Sequence, residues 1–469
     1  MLQKGRVLDM ARHRSASTVL AFALLLSLAG CGGVPGGPAP AASPAPNAQA
    51  PEAATAETAV QPFALDGTLT GAGVHSGYGN QDGFYTVRYA ADGTANVMFV
   101  DYAAGVETYL CASPNCTHDS EACTSWCGCP ANIPDVFPTG DRLVWVYLGN
   151  PEYVDEYGDA ARCRIEVSGL DGAGRENVQL LAPRWQLLYG NICVGQDAVF
   201  ALASAFRQET DGVVQERCLL RIPLDGSEVQ QLASFSESEA TGYELAGGGD
   251  GTLYLVRTDV SEEFRQKLEA LANGTATPDP ETGLLYSSQA AWASSTRHLL
   301  ALHGSGTLTD TGLQWGTDTE YWLEGRRLLL LTDGDGGLSL RTAALDTGRE
   351  TQLTVDAAPM AHPFAESTDT LTLCAMAGGR LIVQQEVLDQ QSAETESRLL
   401  AIDCETGRCS VLPAWTGPDG QPPMVAAGAG QYLLLTRKGA GAFYLADMTQ
   451  ALAGEPGLRT VTPVEQTAG

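Results

Sequence analysis

Gly378-Gly379-Arg380-Leu381-Ile382-Val383, followed after a polar stretch by Arg398-Leu399-Leu400-Ala401-Ile402 and a turn from Asp403 to Gly407, is the phrase that decides the architecture. Apolar runs this short, bounded by glycine and turn residues, are strands and not helices. The phrase returns at Asp141 to Val146, Asp197 to Ala201, Gly251 to Val256, Arg327 to Leu331 and Gln431 to Leu435. Its spacing is roughly 50 to 60 residues with one longer gap, and repetition on that scale means propeller blades or a solenoid. Second strands fall near Phe84, Leu143, Val199, Leu253, Leu328, Leu381 and Leu433, each followed by a third strand that enters a tight turn such as Asp171-Gly172, Asp225-Gly226 or Asp346 to Gly348. Glycine belongs there because such turns need positive φ. The expectation is an all-β chain, a β-propeller of seven four-stranded blades, an architecture that leaves few open sheet edges. Phe63 to Leu65 and Arg459 to Val464 are expected to share one closing blade.

The longer gap is expected to hold a helical insertion in the fourth blade, about residues 259 to 292. Ser261 can cap it, Glu262 and Glu263 fill its first turn, Phe264, Leu268 and Leu271 form its apolar face, and Asn273-Gly274 stops it.

Ahead of the repeats, Lys4, Arg6, Arg12 and Arg14 precede an apolar run from Val19 to Leu28 that is short for a membrane span, the pattern of an export signal. It ends in Leu28-Ala29-Gly30-Cys31, which resembles a bacterial lipobox. That resemblance implies cleavage after residue 30 and lipid on Cys31, so residues 1–30 form the signal and the mature chain sits outside the cytoplasm, anchored to the cell membrane. Residues 31–61 are almost all Gly, Pro, Ala and Ser, too poor in large apolar side chains to offset the entropy of ordering, and form a tether. Residues 62–469 form the propeller domain.

The formal charge of the full chain is −29. DNA, RNA and other polyanions are repelled by such a surface, so nucleic acid is excluded as a partner.

In blades whose strands alternate in direction, the turns joining strands one to two and three to four share a face. The two-to-three turns and the blade-to-blade connections share the other. The first face receives terse turns. The second receives the insertion, Asn150 to Ala160, Phe206 to Gln215, Asp389 to Glu396 and the cysteine-rich stretch after Leu110, and long loops on a rigid scaffold are where function sits. Trp126, Trp185, Trp315 and Trp415 fall in blade-to-blade connections and Trp292 closes the insertion. Such rings serve glycan, peptide or protein recognition, or else wedge neighbouring blades together.

The most specific local motif is Cys111-x4-Cys116-Thr117-His118-x4-Cys123-x3-Cys127-Gly128-Cys129. An exported chain permits disulfides, which puts two bridges and one spare thiol first. The other reading gives Cys111, Cys116, His118 and Cys123 to a structural zinc, since three thiolates and an imidazole close a tetrahedral shell. Free thiols in a reducing niche are the third. Cys404 and Cys409 flank a turn and can bridge across it, while Cys163, Cys193, Cys218 and Cys374 sit in apolar strands as buried hydrophobes. Tyr109 to Cys123, preceded by Asn96 to Tyr102, resembles a passage in uncharacterised propeller-type lipoproteins of gut Gram-positive anaerobes. The resemblance covers the signal, this first blade with its loop and, loosely, the later repeats. It implies location and fold but no chemistry, and Cys127 and Cys129 are additions to the pattern.

Catalytic signatures are scarce. There is no Gly-x-Ser-x-Gly, no His-Glu-x-x-His and no phosphate-cradling loop, and Asp333-Gly334-Asp335-Gly336 lacks the downstream acid of a calcium site. His75, His298, His303 and His362 are scattered. The expectation is a binding or scaffolding propeller, with a propeller hydrolase or lyase acting on a cell-surface or dietary polymer at the channel mouth as the alternative.

Overall fold

The computed structural model describes residues 62–65, 69–71, 77–111, 113–209, 212–235, 241–262, 265–266, 269–270, 273–275, 295–317, 319–334, 337–361, 367–389, 395–415, 423–436 and 442–463. Residues 1–61, including Cys31 and the tether, lie outside them, as do Trp292, His75 and His362.

Seven antiparallel sheets succeed one another in a ring, as the repeats led us to expect. Blade one comprises strands Gly77–Gly79, Gly83–Tyr89, Ala95–Asp101 and Val106–Tyr109, and blade two Asp135–Thr139, Arg142–Tyr147, Arg164–Gly169 and Glu176–Leu180. Blade three spans Trp185–Val194 to Gln230–Phe235, blade four Thr241–Gly249 to Leu308–Gly316, and blade five Glu320–Glu324 to Arg349–Thr354. Blades six and seven run from Ser367–Ala377 to Cys409–Val411 and from Met424–Ala429 to Leu458–Thr460. First strands of neighbouring blades touch, except between blades two and three, whose first strands both meet Thr70–Gly71, so they line the central channel.

Each seam between blades has its own apolar cluster, and this explains why the strands are apolar runs and not alternating ones. In Arg327–Gly334, Leu328 and Leu330 enter the seam with blade four, while Leu329 and Leu331 enter the seam with blade six. Likewise Leu433 and Leu435 pack toward blade six and Leu434 toward blade one. A strand buried on both faces stabilises two seams at once, at about 1.5–3 kcal/mol per fully buried leucine.

Closure differs from the expectation. The C-terminal segment does meet blade one: Val106 bridges Thr462 in parallel, and Glu107 N–H donates to Thr462 O at 2.9 Å. Phe84, Val100 and Tyr102 pack on Leu434, Leu445 and Val461 across that seam. Phe63 to Leu65 is not there. Phe63 N–H donates to Gly304 O at 2.8 Å, and Gly251 N–H to Leu65 O at 2.8 Å, both at turns of blade four. The chain then enters the channel, where Thr70–Gly71 pairs with Val194 and Cys193 on the inner edge of blade three. Gly71 is required there: its φ is +113°, and a Cβ would lie 2.4 Å from Ile192 O. Each blade is therefore complete in itself, and the leading segment occupies the channel from the short-turn face.

In the fourth-blade insertion a helical turn follows Ser261, whose carbonyl accepts from Arg265 N–H at 3.0 Å. Phe264, Leu268 and Leu271 lie outside the described residues. Two helical passages had no signal in the sequence reading: the turns from Pro151 to Ala161 in blade two, and Met448–Leu452 in blade seven, capped by Asp447. Among the described residues no helix is long and apolar enough to cross a membrane.

Candidate metal centre and the loop-rich face

The cysteine loop leaves the outer edge of blade one and returns to it. Trp126–Cys127 pairs with Ala95 and Asn96, continuing the edge that Val106–Tyr109 begins. Both ends of the loop meet at Val97, whose N–H donates to Ser125 O at 2.9 Å and whose carbonyl accepts from Leu110 N–H at 3.0 Å. Between those points the described side chains are exposed or half-buried except Cys123, so the loop has no core of its own.

What fills that role is a cluster. The ligand atoms of Cys111, Cys116, His118 and Cys123 all lie within 4.8 Å of one another. A tetrahedral zinc shell sets such atoms roughly 3.5 to 3.8 Å apart, from Zn–S and Zn–N distances of about 2.3 and 2.0 Å. Left-handed backbone at Asn115 (φ 61°) and His118 (φ 59°) turns the segment inward. His118 Nδ1 is 3.2 Å from Cys123 Sγ, and its ring stacks on Tyr109 with centroids 3.9 Å apart. The His118 carbonyl accepts from Asn96 Nδ2 at 3.1 Å, and Asn96 Oδ1 accepts from Ser125 Oγ at 2.8 Å. Burial pushes the Cys111 thiol up, but backbone N–H groups of Ser113 and Thr124 and the neighbouring thiols outweigh it and bring it down to about 7. Burial pushes Cys123 up to about 11 and holds His118 below its ordinary value, which favours neutral imidazole. These three thiols and one imidazole are a ligand set that can hold a metal such as zinc.

Cys127 and Cys129 do not join it. Cys127 is buried beneath the loop, 4.0 Å from Tyr147 Oη, and burial raises its thiol to about 11. All described cysteines are free thiols, Cys404 and Cys409 among them, both packed in the seam between blades five and six. Cys163, Cys193 and Cys218 are buried in seams. Arg175, on blade two, ties the loop down: Nη1 donates to Thr124 O at 3.0 Å and to Trp126 O at 3.2 Å, its Nε is 3.3 Å from Glu166, and its guanidinium lies over Trp145.

The tryptophans divide. Trp315 and Trp415 are 6% and 5% exposed, in the seams of blades four and five and of blades six and seven, and Trp415 Nε1 donates to Pro456 O at 2.6 Å. Their ring faces are spent on blade packing, which leaves neither an aromatic face for a ligand to stack on. Trp126 and Trp185 are half-buried, with Arg184 over the Trp185 ring.

At the channel mouth on the loop-rich side, Asp135 opens the first strand of blade two, close to Tyr89 and Tyr189. Burial pushes the Asp135 carboxyl up to about 7; burial first, and then the Asp135 charge, raise both phenols. Both tyrosines nonetheless open to solvent, 66% and 48% exposed, so their desolvation is only partial. None of the three was marked in the sequence reading, although an acid at the start of a first strand is recognisable once blades are counted. His298 sits between Asp259 (3.3 Å) and Asp310 (3.8 Å), away from these residues, and His303 bonds Thr252 and Thr309.

No family model matches this chain, and no curated protein does. Among solved structures it is similar to a puromycin-hydrolyzing peptidase of Mycobacterium tuberculosis, at 14% identity and a TM-score of 0.46, over 84% of this chain and 53% of that one. It is also similar to the β-propeller domain of the Trilobed protease from Pyrococcus furiosus (8%, TM-score 0.43, 85% and 98% of the two chains). A third is an oligogalacturonate lyase in complex with manganese (12%, TM-score 0.38, 69% and 74%). The chain spans about half the length of the first of these.

Proposed function

We propose that this chain is a lipid-anchored, extracytoplasmic propeller that binds a glycan, peptide or protein through its loop-rich face, with a structural zinc stiffening the Cys111 to Cys123 loop. The observation that carries the reading is the convergence of Cys111, Cys116, His118 and Cys123 within 4.8 Å in a loop that lacks a core. Zinc binding there would contribute folding free energy to the loop directly. The path of the leading segment supports the choice of face: it reaches the propeller at the blade-four turns, so a tether would hold the short-turn face toward the membrane and present the loops outward. Metal analysis should find about one zinc per chain, lost in Cys116→Ser and Cys123→Ser. Glycan and peptide arrays probed with the full chain should give a signal that Trp126→Ala weakens. Metabolic labelling with a lipid precursor should mark the chain and not its Cys31→Ala variant. A metal-free, unlabelled wild type with no array signal refutes the reading.

A second reading, a hydrolase or lyase working at the channel mouth, is favoured by one observation: Asp135 stands beside Tyr89 and Tyr189 there, and burial that holds its carboxyl up at about 7 suits proton transfer near neutrality. Turnover of any glycoside, uronide or peptide by the wild type and not by Asp135→Asn would replace the binding role with this one.

A further inference from the structure

Arg297 is the second residue of the third strand of blade four, Thr296–His303, at the end that meets the loop-rich face. Its cross-strand neighbour is Trp315. Both residues are 6% exposed, and both lie on Tyr321 of blade five, with the Arg297 Cζ 5.6 Å and the Trp315 ring 5.5 Å from the tyrosine centroid. Arg297 Nη1 donates to Thr319 O at 3.3 Å. Among the described residues its Nε has no partner, and neither has Trp315 Nε1. Three arginines more exposed than this one have acids, Arg164 with Glu166, Arg221 with Asp197 and Arg380 with Asp403, whereas Arg398 rests on two backbone carbonyls. Arg297 makes no ion pair among the described residues, and Glu244, on the first strand of blade four, accepts from the Tyr321 hydroxyl at 3.0 Å instead. Thr258, Ser295, Thr317 and Thr319, all buried, complete this polar corner.

A guanidinium withdrawn from water is strongly unfavourable unless an anion meets it. Here the open positions are donors only, a guanidinium edge and an indole N–H. That edge is planar and forked, and it matches a carboxylate better than a point charge would. One positive charge suits a monoanion, whereas a phosphate dianion would exceed it. We propose that the corner formed by Arg297, Trp315, Tyr321 and Thr319 is a binding site for the carboxylate of a small organic or sugar acid.

The site lies on the proposed ligand face but rests on different residues from the zinc loop, so the two can fail separately. Calorimetric titration of the full chain with lactate and with galacturonate, both monoanions, separates an aliphatic acid from a sugar acid. Lactamide and inorganic phosphate serve as controls. At least one acid should bind, with phosphate at least about tenfold weaker. Arg297→Gln should weaken the acid about 10- to 100-fold and Trp315→Phe about 3- to 10-fold, with far-UV circular dichroism unchanged. Arg297→Lys, which keeps the charge but not the fork, should fall between wild type and Arg297→Gln. If Arg297→Gln does not fold, Trp315→Phe carries the same decision. Neither acid binding to the wild type, both variants binding like it, or phosphate binding as tightly as the acids would overturn the assignment. Array binding that survives in Arg297→Gln leaves the face assignment standing and does not bear on zinc.

Discussion

Arg175→Leu should detach the cysteine loop from blade two without dismantling the propeller. The guanidinium gives charge-assisted hydrogen bonds to two loop carbonyls, Thr124 O and Trp126 O, which together contribute about 3 kcal/mol. Its contact with the fully buried Trp145 ring adds about 1 kcal/mol, and the apolar packing regained by leucine offsets about the same. Loss of the Glu166 contact costs little, because Arg164 still holds that carboxylate at 2.8 Å. The net is about 3 kcal/mol, which as a local opening equilibrium is about a hundredfold. Cys123 reports it, being the buried thiol of the loop. In metal-stripped protein, iodoacetamide labelling of Cys123 followed by peptide mass spectrometry should be about a hundredfold faster in the variant. Labelling of Cys193, in the distant seam between blades three and four, should not change. A Cys123 rate within about threefold of wild type would show that Arg175 does not hold the loop, and equal acceleration at Cys193 would show that the whole propeller had loosened.

Trp415→Ala should cost about 3–5 kcal/mol in urea unfolding, since it empties the seam of blades six and seven and orphans Pro456 O; a loss under about 1 kcal/mol would return this ring to the ligand surface. Asp135 keeps its proton to about pH 7 when folded but only to about 4 when unfolded, so its contribution to stability falls as pH rises through that window. Asp135→Asn should therefore match wild type near pH 4 and exceed it at pH 8 by on the order of 1–3 kcal/mol, and a difference that does not change with pH refutes the burial. Gly71→Ala should lower stability by about 2–4 kcal/mol, from a strained φ and a Cβ driven against Ile192 O; an unchanged urea midpoint would mean that residues 70–71 are not seated on blade three.

The cysteine loop was half legible. Its spacing identified the four residues that meet, but the same letters also allow disulfides, which export puts ahead of zinc, and free thiols. Only the inward turns at Asn115 and His118 bring Cys111, Cys116, His118 and Cys123 together and leave Cys127 and Cys129 out of the cluster. The tryptophans show the reverse error. Topology assigned them to blade-to-blade connections on one face, yet Trp315 lies within the fourth strand of blade four, and the burial of Trp315 and Trp415 follows from how closely the blades approach.

The sequence by itself determined the blades. Strand length, apolar runs and glycine turns are local, and a run such as Leu328 to Leu331 is apolar at every position because both seams demand it. Tertiary structure alone decided what depends on surfaces far apart in the chain. No local pattern says that Thr70–Gly71 will pair with Cys193 and Val194, or that Asp135 will face Tyr189. Nor does one say that Arg297 will be buried against Tyr321 without an acid. Those outcomes are set where blades close on one another, and the desolvation that gives each group its chemistry exists only after they have closed.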